Sequence, residues 1–195
     1  MNRLIVCRNR QRVCGVNLSL LRVIVRALLS ELIQVRQYEL CVHLVDASTM
    51  ARLNESYLGH SGSTDVITFD NTDALRPGGP ACLRGEIFLS VDDAWKQAGQ
   101  FRASWQSEIV RYVIHGILHL QGFDDLTPAR RRIMKRAENS LLKQISRRFD
   151  LRKLNRRSAD ACAPSAPRRK QPRPKSEIRN KCKIQTFVRP QSCRA

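Results

Sequence analysis

The stretch His115–Asp125 reads HGILHLQGFDD, and the rest of the chain is organised around it. His115 and His119 are four residues apart, so on a helix they share one face, one turn apart. Two imidazoles so placed can hold one metal ion, each at about 2.0–2.1 Å. Gly122 follows three residues later, where the helix is expected to stop, because glycine enters the left-handed region without steric cost. The chain then turns back, and Asp125 stands where a third ligand is needed. The run Glu108–Leu120 is otherwise apolar on the face the rings share, so an unliganded pair there is costly to desolvate.

The spacing is that of the zinc-binding pattern HExxHxxGxxH, with two changes. Gly116 replaces the Glu, which removes the usual general base. Asp125 replaces the last His, which keeps a ligand but makes it a carboxylate. A set of two His and one carboxylate suits one Zn²⁺ per chain with a fourth position for water, and also suits Fe(II) or other divalent ions. Zinc there lowers the pKa of water from about 15.7 towards about 7 and polarises a phosphoryl oxygen.

Outward from this stretch, Ser104 caps the histidine helix, with Glu108 in its first turns. Thr127 and Pro128 open a last helix that runs to about Phe149. Its Arg130, Arg131, Arg132, Lys135 and Arg136 form a basic patch soon after Asp125, a solvated face or a clamp for an RNA backbone. Upstream, Arg84–Val91 reads as a strand carrying Glu86, followed by a short helix Asp92–Gln100. Residues Asp70–Cys82 read as an exposed, mobile loop with Pro77, Gly78, Gly79 and Pro80. Leu58–Ser63 (LGHSGS) is a glycine-rich turn, or a loop that contacts phosphate, and it leads through Thr64 and Asp65 into a strand Val66–Phe69. Asp46–Tyr57 is a helix, and Tyr38–Val45 is a central strand with apolar residues on both faces. Asn17 caps a helix whose Leu18, Leu21, Ile24, Val25, Leu28, Leu29 and Leu32 recur at helical spacing. Leu4–Val13 is a first strand, and its Arg8, Arg10 and Arg12 alternate onto one face, either solvated or in contact with RNA. The order predicts an α+β domain with a mixed four-stranded sheet packed with helices and a metal site on a helix-turn segment.

Charge is uneven along the 195 residues. The formal net charge is +18; residues 1–150 carry 21 Lys/Arg against 15 Asp/Glu, and residues 151–195 carry 14 against 2. Such an excess attracts a polyanion, most simply nucleic acid. The last 45 residues also hold five of the eight Pro, so residues 151–195 are expected to be a basic, disordered tail. Seven scattered Cys with no CxxC argue against a disulfide framework or a cysteine zinc cage, and for a reducing cytoplasm. The N-terminal apolar run is too short for a signal peptide, and Arg22, Arg26 and Glu31 break the Leu18–Val35 run, so no membrane span is expected.

HGILHLQGFDD resembles the signature HGxLHLxGYDH of the YbeY family, zinc-dependent endoribonucleases that mature bacterial ribosomal RNA. Leu53–Phe69, LNESYLGHSGSTDVITF, is similar to the family's LNxxYRxxxxPTDVLSF, and Gly85–Ser90, GEIFLS, is similar to its GDIxIS strand. The resemblance covers about residues 1–150. It implies cleavage of single-stranded ribosomal RNA, chiefly maturation of the 3′ end of the small-subunit RNA, with a part in ribosome quality control and the small subunit as partner. Three positions depart from the pattern: Asp125 for a His, Leu58 for an Arg that bears on RNA, and Ser63 for a Pro. With Gly116 unable to act as base, Asp124, Asp65, Glu86 and His60 are the candidates for acid–base roles. Two rival functions remain: a ribosome-associated RNA-binding factor with a structural metal, and a metalloprotease, which the missing Glu disfavours.

Overall fold

The computed structural model describes residues 2–72 and 82–156 and the backbone of 186–188. The loop expected to be exposed at 73–81, and most of the expected tail, lie outside the described residues.

The first strand is β1 (Arg3–Asn9), shorter than the apolar pattern suggests. Gln11 ends it: its side chain bonds the backbone of Val13 and Cys14 and turns the chain. The helix α1 (Leu18–Ala27) starts at Asn17, whose side chain accepts from the Leu20 amide, and runs on as one wide turn to Leu32. Strand β2 (Gln37–Val45) is followed by α2 (Ala47–Leu53), capped by Asp46 on Thr49. A wide turn then ends at Gly59, at φ 67°, where a side chain would be strained. Strands β3 (Val66–Asp70) and β4 (Cys82–Ser90) come next. After them come α3 (Val91–Phe101), α4 (Trp105–Leu120) and α5 (Pro128–Arg148), capped by Ser90, Ser104 and Thr127.

The sheet order is β1-β2-β4-β3, with β1, β2 and β4 parallel and β3 antiparallel to β4. This is the mixed four-stranded sheet that the element order predicts. A fifth, short strand β5 (Thr186–Val188) pairs in parallel with the outer edge of β3. A single turn of 3-10 helix, Leu151–Leu154, packs both its leucines into the main core, and Asn155 bridges Val16, so the packed fold runs past residue 150.

The two faces of the sheet differ. On one, Leu40, Val42, Ile87 and Leu89 pack against α1, α3 and α4 in the larger cluster. On the other, α2 covers Val45, Ile67, Phe69 and Phe88 with Met50. Helix α4 lies very close to the sheet. A Cβ on Gly116 would come within 2.8 Å of Ile87 and 2.9 Å of Thr68, and one on Gly85 within 2.7 Å of Leu120. That close seat fixes the direction in which the histidines on α4 point. Among the described residues, no helix is long and apolar enough to cross a membrane.

Candidate metal centre

Helix α4 carries His115 and His119 one turn apart, and both are buried. Their Nε2 atoms face each other at 3.0 Å. His119 Nδ1 lies 3.0 Å from the Phe123 carbonyl, and His115 Nδ1 lies 3.0 Å from Glu138 Oε2 on α5. A carbonyl and a carboxylate can only accept, so each Nδ1 carries the proton and donates. Each neutral ring then presents its Nε2 lone pair to the other. Two lone pairs that close repel unless a proton or a metal ion lies between them. Two nitrogens about 2.0–2.1 Å from a tetrahedral ion stand roughly 3.4 Å apart, close to the observed spacing. The donor pair therefore fits a divalent cation. Burial, and next the repulsion that a protonated His115 would exert, take the pKa of His119 down to about 4, so that ring stays unprotonated near neutral pH.

Gly122, at φ 86°, ends the helix and returns the chain towards the pair. Asp125 is buried beside it: burial pushes its carboxyl up, against the pull of His115 and Arg131. Arg131 donates from Nε and Nη2 to the Asp125 carbonyl at 3.2 and 3.0 Å, which pins the turn. Among the described residues no three His, Cys, Asp or Glu side chains stand in a ligating cluster, so the geometry on hand is two rings with a carboxyl close by.

The other expected site residues separate into near and far. Asp124 is near; it accepts from the Leu126 amide at 3.2 Å and pairs with Arg130. Arg132, Lys135 and Arg136 are exposed on α5, whereas Arg130 and Arg131 are engaged in holding the turn. Glu86 is far. Its neighbours Gly85 and Ile87 meet α4, so alternation puts Glu86 on the opposite face, where it lies 3.0 Å from His43 Nε2. A role beside the histidine pair is thereby corrected: the sheet stands between Glu86 and the rings. Asp65 is buried and used structurally, its carboxylate accepting from the Val66 amide, from Thr64 and, at 3.4 Å, from Gln97. His60 is exposed on its loop, with its amide on the Asn54 carbonyl. Leu58 packs into the apolar cluster under α2.

One residue that the motif does not contain belongs to the site. Glu138 is the only acid in the 21 residues of α5, which hold eight Lys and Arg, and yet it is only 8% exposed. A lone acid on the buried stripe of a basic helix is the signal by which the sequence marks it.

The fold and site define an α+β domain in which a helix seated on a mixed sheet carries two facing imidazoles. Residues 7–146 match the family model described as endoribonuclease YbeY, and the chain belongs to that family. It is 37% identical over 105 residues to the endoribonuclease YbeY of Salinibacter ruber, covering 52% of this chain and 67% of the relative. It is 43% identical over 90 residues to that of Bacteroides thetaiotaomicron, covering 46% and 61%. The chain thus spans about two thirds of the length of these relatives. The fold is also that of the solution structure of TM1509 from Thermotoga maritima, at TM-score 0.55 and 22% identity, covering 75% of this chain and 92% of the other.

Proposed function

We propose that this chain is a zinc-dependent endoribonuclease that cuts single-stranded ribosomal RNA. In this reading it acts in the cytoplasm on the small subunit, in 3′-end maturation and ribosome quality control. The observation that carries the proposal is the pair of Nε2 atoms facing at 3.0 Å, with both Nδ1 atoms anchored. Family membership supports RNA as the substrate. His115, His119 and Asp125 would hold the ion. When bound, a divalent cation acidifies water and polarises a phosphoryl oxygen.

The chain's own residues do the rest. Arg131 holds the backbone of Asp125 in the turn that follows the histidine helix. Asp124 is the acid–base candidate on the same turn as Asp125, with Arg130 paired to it. Arg132 and Lys135 point to solvent on the same helix and would take RNA phosphates. Gly116 has no side chain to act as base, and a Cβ there would press on Ile87 and Thr68. The cleft lined by Arg8, Glu39, Cys41, Asn71, Arg84 and Glu86 lies on the other side of the sheet from the rings.

The test is metal analysis of the purified chain, together with cleavage of single- and double-stranded RNA and of casein, each with and without chelator. Chelator-sensitive cutting of single strands alone is expected. Full metal stoichiometry in Asp125→Ala contradicts Asp125 as a ligand. Metal and RNA binding without cutting favours the reading as a non-cleaving ribosomal factor, which the apolar packing of Leu58 supports.

A further inference from the structure

We propose that Glu138 is the positioning residue of the histidine pair: its carboxylate, clamped by Arg111, holds the His115 ring with Nε2 turned towards His119. This inference rests on the metal reading above.

A buried carboxylate is costly unless both its oxygens are satisfied. Here they are. Oε2 accepts from His115 Nδ1 at 3.0 Å, and Oε1 accepts from Arg111 Nη1. Arg111 is itself fixed. Its Nη1 donates to Asn139 Oδ1 at 2.9 Å, and its Nε lies 3.5 Å from Glu108 Oε2. The guanidinium therefore lies between an acid on α4 and an acid on α5.

This clamp has two effects on His115. Turning the ring over would break the bond at Nδ1, so the ring orientation is set. The proton is held on Nδ1, so the lone pair is held on Nε2, and the adjacent anion makes that lone pair more basic. His119 is fixed differently, by the backbone carbonyl of Phe123 in the turn that ends the helix. One ring is thus held by local chain geometry and the other by a side chain 23 residues away. Only the second can be released without altering the backbone.

The competing role is a plain staple between α4 and α5 through Arg111. The two are separated by zinc affinity, measured on the full chain by competition with a chromophoric chelator. Glu138→Gln keeps the size and removes the charge; it should bind zinc about 10–100-fold more weakly, the usual cost of losing an outer-shell carboxylate. Affinity equal to that of the wild type overturns the inference and leaves only the staple. In the metal-free wild type, ring nitrogen NMR shifts should show His115 protonated on Nδ1. Protonation on Nε2 instead overturns the inference even if the variant fails to fold. A wild-type chain that takes up no zinc defeats the metal reading and this inference together, whereas equal affinities defeat this inference alone.

Discussion

His115 stands 3.0 Å from Glu138 on the α4 side of the sheet, and His43 stands 3.0 Å from Glu86 on the other side. Both rings are buried, and each pairs one nitrogen with a carboxylate. They differ in what the second nitrogen meets. For His115 it is the Nε2 of another imidazole. His43 Nδ1 is buried with no hydrogen-bond partner among the described residues, and its ring stacks on Phe88 at 4.3 Å. On the proposed reading, a histidine–carboxylate pair would not hold a metal by itself. The second ring, placed one turn on by the helix, turns an ordinary buried pair into a donor set.

The strongest way to break this contrast is to remove the second ring. His119→Ala should lose zinc and lower RNA cleavage by more than about 100-fold, beyond the cost of an outer-shell change. His43→Gln should leave cleavage unchanged; equal losses in the two variants would mean that both pairs serve the reaction. Next comes the seat of α4. Gly116→Ala forces a methyl against Ile87 and Thr68 and should cost about 1–3 kcal/mol in urea denaturation, with weaker zinc binding as the helix shifts. A variant as stable as the wild type would show that the helix can back away from the sheet.

A smaller effect tests which face RNA follows. Replacing Arg132 and Lys135 with Ala should reduce the slope of log affinity against log salt by about 0.7 for each lost phosphate contact. The same change at Arg8 and Arg10 should leave the slope intact; the reverse pattern would move RNA to the His43 side. The smallest effect is in pH. Burial lowers the pKa of His43 below its ordinary value, and Glu86 only partly offsets this. As pH falls through the ordinary value of 6.5, the unfolded chain takes up the proton first. The stability gained by keeping this ring neutral is thus full above 6.5 and lost below it. His43→Gln should flatten that part of a stability–pH curve, and an unchanged curve would place the titration elsewhere.

Local patterns made much of the fold legible in the sequence. The caps Asn17, Ser104 and Thr127, the stop at Gly122 and the alternation in β2 all act within a few residues, and each stands where the pattern puts it. The contributors to the site that act at long range were less visible. The side of the sheet that Glu86 faces depends on where α4 packs, and spacing along β4 does not encode that. Glu138 reaches His115 across two helices, so no motif of fixed offsets contains it. Gly116 reads in the sequence as a missing base. In the fold it is a contact that lets α4 approach Ile87 and Thr68. A side chain at the position of the protease base would have to displace Ile87 or Thr68.

Strand β5 joins the outer edge of β3, pairing Thr68 with Thr186 and Asp70 with Val188. During synthesis β3 emerges long before its outer partner exists. Until residues 186–188 arrive, its outward amides and carbonyls are open to water or to a strand of another chain, the usual origin of edge-to-edge aggregation. A nascent chain stopped short of that segment would therefore be the form most exposed to mispairing.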